Sequence, residues 1–186
     1  ADRAPVSPAA FQAPPKSVGN GLTFPHNLQG REEIRAGIVQ LSDEVAARLR
    51  RYKMKCEGVS LSIRDPSFRD IGRQTRLSAP TCLAREIAQT AMSLAESCWR
   101  MDSPVRALTV TAIYLIPAEE AGAQLDLLSG EADRKRERLE KLEGAMDAIR
   151  SKYGVGAIAP ASAPLDPGAD RHAPPPGGVK SYMEDS

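Results

Sequence analysis

The order of hydropathy periods along this 186-residue sequence predicts an α+β fold: β-α-β-β-α-β, a four-stranded sheet with both helices on one face. Three observations predict it. Segments of period near two and segments of period near 3.6 follow one another in that order between residues 16 and 117. The two helical segments each carry an apolar stripe on one side only, which asks for one covering layer. Asp65-Pro66-Ser67 supplies turn chemistry between the two central strand segments, so that they read as a hairpin.

The first strand is Lys16 to Phe24, KSVGNGLTF, with Val18, Leu22 and Phe24 of one parity and a bulge or close approach expected at Gly19 or Gly21. Arg31 to Arg51 places Ile34, Ile38, Leu41, Val45 and Leu49 at helical steps, which predicts the first helix. Gly58 to Arg64 alternates Val59, Leu61 and Ile63 against Ser60, Ser62 and Arg64, a half-buried strand. Arg69 to Leu77 returns as a polar strand. Ser78 to Thr81 offers the next helix start, and Leu83, Ile87, Ala91, Leu94 and Cys98 keep helical spacing until Asp102-Ser103-Pro104. Val105 to Ile116 is β-branched and flanked by prolines, the fourth strand.

The domain organisation follows from where this patterning stops. Residues 1–15 hold four prolines and no periodic pattern and read as an interdomain linker; residues 155–186 are Pro- and Gly-rich and read as a disordered tail. Residues 118–131 are expected to be a flexible, acidic connector, and residues 132–154 a C-terminal helix. In that helix Leu139, Leu142, Met146, Ile149 and Tyr153 form a narrow stripe that docks either on the sheet domain or on another protein.

Composition excludes several function classes. Cys56, Cys82 and Cys98 form no CxxC pair and leave an odd thiol, which supports neither a disulfide framework nor a zinc site and fits a reducing, cytoplasmic setting. No apolar run is long enough to cross a bilayer and ADRAPVSPAA lacks the regions of a signal peptide, so a membrane is not expected as a partner. The start at Ala1 rather than Met suggests a processed product or a fragment. His26 and His172 are isolated, Trp99 reads as a packing residue, and the three thiols as buried or inert.

The net charge of +1 hides an asymmetry. Residues 16–117 hold 15 Lys and Arg against 10 Asp and Glu, while residues 118–186 hold 9 against 13. Lys16, Arg64, Arg69, Arg73, Arg76 and Arg106 fall on strand segments. An open sheet face lined by Arg, Ser, Thr and backbone amides suits a nucleic-acid phosphate backbone; the alternative is that strand cations only blunt sheet edges. Phe24 and Tyr114 are the only strand aromatics, so backbone tracking is favoured over base stacking.

KSVGNGLTFP at residues 16–25, followed by REEIRAGIVQLSDEVAARLRR, resembles the start of the little-finger domain of Y-family translesion DNA polymerases. The resemblance extends through RQTRLSAPT and PVRALTVTAIYL, covers about residues 4–160, and lies with the bacterial DNA polymerase IV branch. It implies a domain that holds primer-template DNA in error-prone lesion bypass and DNA repair, within the SOS response. By position, Lys16, Ser17, Val18 and Gly19 match the first-strand contact segment. Arg73, Gln74, Thr75 and Arg76 match the middle-strand segment, Arg64 adds a cation, and Arg106 matches the basic position of the last strand. Thr75 and Ala107 stand where some members carry Arg, which implies fewer charged contacts. The family's metal-binding carboxylates belong to a palm domain; Asp65, Asp70 and Asp102 here read as turn residues. This chain is therefore expected to have no catalytic residue, metal site or cofactor of its own. Mg2+ is implied only for the missing catalytic domain, and the palm, fingers and thumb of the same polymerase are implied partners.

Gln124, Leu125, Asp126, Leu127 and Leu128 resemble the pentapeptide with which bacterial polymerases bind the sliding clamp. Gln124 can hydrogen-bond in one subsite while the leucines fill an apolar groove, and micromolar affinity, about −8 kcal/mol, is expected. Five such residues also arise by chance, as an amphipathic turn packed on the domain. The alternative for the whole chain is a stand-alone non-catalytic α+β adaptor whose sheet binds a protein or small ligand.

Overall fold

The expected order is the observed one. In the computed structural model, which describes residues 15–125, 130–154 and 157–158, the elements are β1 (Ser17–Leu28), α1 (Gly30–Arg51), β2 (Met54–Arg64), β3 (Asp70–Thr81), α2 (Ala84–Cys98), β4 (Val105–Pro117), α3 (Ala118–Leu125) and α4 (Glu131–Tyr153). The four strands make one antiparallel sheet in the order β1-β4-β2-β3. Val59, Leu61 and Ile63 of β2 stand opposite Ala112, Val110 and Leu108 of β4, and this row closes against Ile34, Ile38, Leu41, Val45 and Leu49 of α1 and Ile87, Ala91 and Ala95 of α2. One continuous apolar core thus joins one sheet face to both helices.

Four boundaries differ from the sequence expectation, and the simplest is β2, which starts at Met54 rather than Gly58. β1 continues past Phe24 to Leu28 across a register shift after Thr23, and Pro25 is tolerated because β1 is an edge strand bonded only to β4. Leu22, of the same parity as Val18 and Phe24, is left exposed at that edge. The residues expected to start the second helix, Ser78 to Thr81, instead finish β3, where Thr81 pairs with Cys56 beyond a bulge. The Thr81 Oγ1 then accepts the Leu83 N–H at 3.1 Å, and α2 begins only at Ala84.

The last difference is the connector. Residues 118–125, expected to be flexible, are helical: Ala and Glu dominate AEEAGAQL, Pro117 precedes its first turn, and Glu119 and Glu120 sit at its positive end. The Ala118 N–H donates to the Lys53 carbonyl at 2.9 Å and Ala121 is fully buried, which anchors α3 to the start of β2. Residues 1–14 of the expected linker 1–15 and nearly all of the expected tail lie outside the described residues.

α4 docks through a row of ion pairs, with only Leu139 and Met146 of its apolar stripe half-buried beside them. Arg136 binds Glu86 of α2, Glu140 binds Lys55 of β2, Glu143 and Asp147 bind Arg50 of α1, and Arg150 binds Asp43 of α1. These residues recur at helical steps and form the inward face. Glu143 also accepts the Ala84 N–H at 3.1 Å, so the start of α2 is capped by a side chain 59 residues away. Burial pushes the Glu143 carboxyl above the ordinary glutamate value against the pull of Arg50 and of that N–H. Leu142, Ile149 and Tyr153 remain exposed while Leu139 and Met146 are half-buried, so the stripe read from the sequence only partly overlaps the docking face.

Candidate nucleic-acid interface

The face of the sheet away from α1 and α2 follows from the register, because alternate residues point to opposite sides. Across it run the rows Ser17, Ile113, Gly58, Arg76; then Gly19, Thr111, Ser60, Gln74; then Gly21, Thr109, Ser62, Gly72; and last Thr23, Ala107, Arg64, Asp70. Its centre is small and hydroxyl-bearing. The hydroxyls of Thr111 and Thr109 lie so close to Gly19 and Gly21 that a Cβ there would come within 2.8 Å and 2.6 Å of them. The two glycines thereby keep the β1 side of the face flat.

The strand residues expected to act together divide between the two sides. Ser17, Gly19, Arg64, Gln74 and Arg76 share the open face, and exposed Lys16 stands just before it. Val18 is buried in the core. Arg73 and Thr75, opposite Leu61 and Val59, fall on the helix side of edge strand β3. There burial raises the Cys98 thiol above its ordinary value, and Arg73 only partly offsets that rise. Arg106 donates to the Phe24 carbonyl at 2.8 Å, where it satisfies backbone beside the bulge of β1. Arg69 closes the β2–β3 turn onto Asp65 at 2.9 Å. Period-two alternation would have separated Arg73 from Arg76 in the sequence alone; the engagement of Arg106 had no local signal.

Arg64 is neutralised where it stands. It holds Asp70 through two contacts of 2.8 Å, and the same pairing keeps the Asp70 carboxyl below its usual range. Arg76 is held differently: its guanidinium carbon lies 4.5 Å from the centroid of the Tyr114 ring, and its Nη1 is 3.9 Å from the Glu57 carboxylate. The sequence marks Tyr114 only as a strand aromatic and gives no signal for Glu57. Their approach depends on a parity slip, since burial passes from Cys56 to Val59 on β2 and from Ala112 to Leu115 on β4.

The basic balance of residues 16–117 is likewise unevenly available. Arg50 and Lys55 are consumed by acidic residues of α4, on the helix side and at the end of the sheet. Among the described residues, what remains at the open face is Arg76, beside a floor of Gly, Ser and Thr, with exposed Lys16 just before its first row.

Gln124 and Leu125 are the last two residues of α3, and Asp126, Leu127 and Leu128 lie outside the described residues. Cys56 and Cys82 are buried thiols, pushed up to about 12 and about 11, which keeps them protonated. The indole N–H of Trp99 donates to the Ser103 carbonyl at 3.2 Å, a packing role. Among the described residues no three His, Cys, Asp or Glu side chains converge to hold a metal ion, and no helix is long and apolar enough to cross a membrane.

The sequence profile of the impB/mucB/samB family C-terminal domain matches residues 15–127, which contain the whole sheet and both covering helices. The chain is similar to DNA polymerase IV of Acetivibrio thermocellus, 35% identical over 157 residues, covering 84% of this chain and 39% of that protein. It is also similar to DNA polymerase IV 1 of Bacillus subtilis, 33% identical over 143 residues, covering 77% of this chain and 34% of that one. The chain thus spans less than half the length of these curated relatives. A solved structure described as a complex of the beta-clamp processivity factor and the little finger domain of PolIV is 19% identical, with a TM-score of 0.46, covering 54% of this chain and 90% of that one.

Proposed function

Since the chain belongs to the impB/mucB/samB family by its C-terminal domain, we propose that it is the DNA-holding little finger of a translesion polymerase of the DNA polymerase IV type. Its open sheet face lies against the primer-template backbone. The observation that carries this reading is the flat floor of Gly19, Thr111, Ser60, Gly21, Thr109 and Ser62 beside Arg76, with exposed Lys16 just before its first row. Hydroxyls and exposed edge amides can meet phosphate oxygens, and the two cations neutralise them, without any geometry specific to a base. Such contacts hold distorted and undistorted duplex alike, which is what lesion bypass requires of a holding domain.

In the whole polymerase, catalysis and its Mg2+ would belong to a palm domain, and the fingers and thumb would complete the enzyme in the bacterial cytoplasm, with synthesis across damage as the outcome. The segment Gln124 to Leu128, which begins in the last turn of α3, would tether the domain to the sliding clamp.

Titration of a labelled primer-template by fluorescence anisotropy at several salt concentrations tests the DNA reading. Affinity is expected to be indifferent to sequence. It should fall with salt along a log–log slope of about −2, as two phosphate contacts require, and weaken when Lys16 and Arg76 are both replaced by alanine. Duplex binding that is absent at low salt, or untouched by that double change, overturns it. For the tether, the Gln124→Ala, Leu127→Ala double variant should lose binding to purified clamp; unchanged binding removes the assignment.

A further inference from the structure

Tyr114 adopts φ of 55° in the middle of β4, a conformation that bulky L-residues enter only when the surroundings impose it. Its ring lies against Gly58, where a Cβ would come within 2.9 Å of Cδ2 and 3.0 Å of the Thr75 carbonyl oxygen. Glycine at position 58 is therefore what lets the ring cross from β4 over β2 toward β3. Arg76, opposite Gly58 in the register, stacks over that ring while 70% of its side chain stays exposed. The Glu57 carboxylate lies 3.9 Å from it, beyond a normal hydrogen bond but close enough to attract.

We infer that Tyr114 and Glu57 set the strength with which Arg76 grips a DNA phosphate, Tyr114 as a positioning residue and Glu57 as the counter-charge the phosphate displaces. This rests on the DNA-holding function proposed above. Stacking on the ring removes rotational freedom from a long side chain before the phosphate arrives, so less ordering is left for the binding step. The nearby carboxylate acts the other way: it offers Arg76 a partner in the free protein and repels an incoming phosphate. Holding and opposing charge on one guanidinium yield a contact that forms and releases readily, as a domain that moves along DNA requires.

The test is a double-mutant cycle read as duplex affinity by anisotropy, with thermal unfolding of every variant measured alongside. Tyr114→Phe keeps the ring and should bind as the parent does. Tyr114→Asn, which tolerates the left-handed backbone, should bind about two- to fivefold more weakly, as the loss of an exposed cation–π contact implies. Glu57→Gln should bind more tightly by a similar factor, the opposite sign from that of a merely structural ion pair. In an Arg76→Ala background both effects should vanish. Weaker binding by Glu57→Gln, or a Tyr114→Asn loss that persists without Arg76, overturns the inference. If the parent binds duplex and only Lys16→Ala weakens it, the inference falls while the DNA-holding function stands; no duplex binding at low salt ends both.

Discussion

The Arg50 guanidinium grips the Asp147 carboxylate with two nitrogens, at 2.6 Å and 3.0 Å, joining residues 97 apart in sequence and fixing α4 against the end of α1. The same guanidinium donates to Glu143 and, at 3.0 Å, to the Cys82 carbonyl, and it is only 11% exposed. Docking by half-buried charge has a different failure mode from docking by leucines. If one partner is removed, the others are left desolvated without a counter-charge.

Arg50→Gln is expected to undock α4 while the sheet stays folded. Hydrogen exchange should show protection in residues 131–153 falling by about 2–3 kcal/mol, with the amides of β2 and β4 unchanged. Equal loss of protection in sheet and helix would refute this ionic latch.

Gly37 and Gly144 should respond oppositely to alanine. At Gly37 a Cβ would stand 2.9 Å from the Phe24 ring and 3.2 Å from Leu108 and Leu28, so overpacking should cost about 1–2 kcal/mol. At Gly144 nothing lies within 4 Å among the described residues, and the lower entropy of the unfolded chain should add about 0.5–1 kcal/mol. Chemical denaturation measures the first, and hydrogen exchange in α4 the second.

Ser42 sits on the buried face of α1 with a hydroxyl that finds no partner among the described residues. Ser42→Ala should raise global stability by about 1 kcal/mol, because a desolvated hydroxyl is removed and helix propensity improves. A drop in the urea midpoint would mean that the hydroxyl does have a partner.

The β2–β3 turn should weaken in acid. Asp65 accepts the Arg69 backbone N–H at 2.9 Å, and that bond, with the Arg69 side chain and the Ser67 N–H, holds its carboxyl below the ordinary aspartate value. A depressed folded value contributes stability that is present above the unfolded pKa, near pH 4, and lost as pH falls through the folded one. A carbon-detected NMR titration should place the Asp65 midpoint below that of an unfolded peptide, with the Phe68 and Arg69 amides shifting in step. Asp65→Asn should abolish that step.

The expected strand and helix order stood on signals local to each segment, and it held because the apolar stripes of α1 and α2 match the alternating face of β2. Boundaries failed where a distant partner decided them. Ser78 to Thr81 has the residue types of a helix start, yet pairing with β2 extends the strand and Glu143 supplies the cap. The stripe of α4 was visible, but its docking partners Arg50, Lys55 and Glu86 are scattered over three elements.

Periodicity and composition, being local or additive, suffice for the α+β class, the number of strands and their order along the chain, much of the core and the basic balance of the sheet domain. Only the tertiary structure decided which cations face outward together. It set Arg76 over Tyr114, tied Arg64 to Asp70 and gave Arg106 to the Phe24 carbonyl. The physical reason is that a charge acts through whatever lies within a few ångströms of it. Those neighbours are set by strand register and by a parity slip at Gly58 and Tyr114, which no single segment encodes.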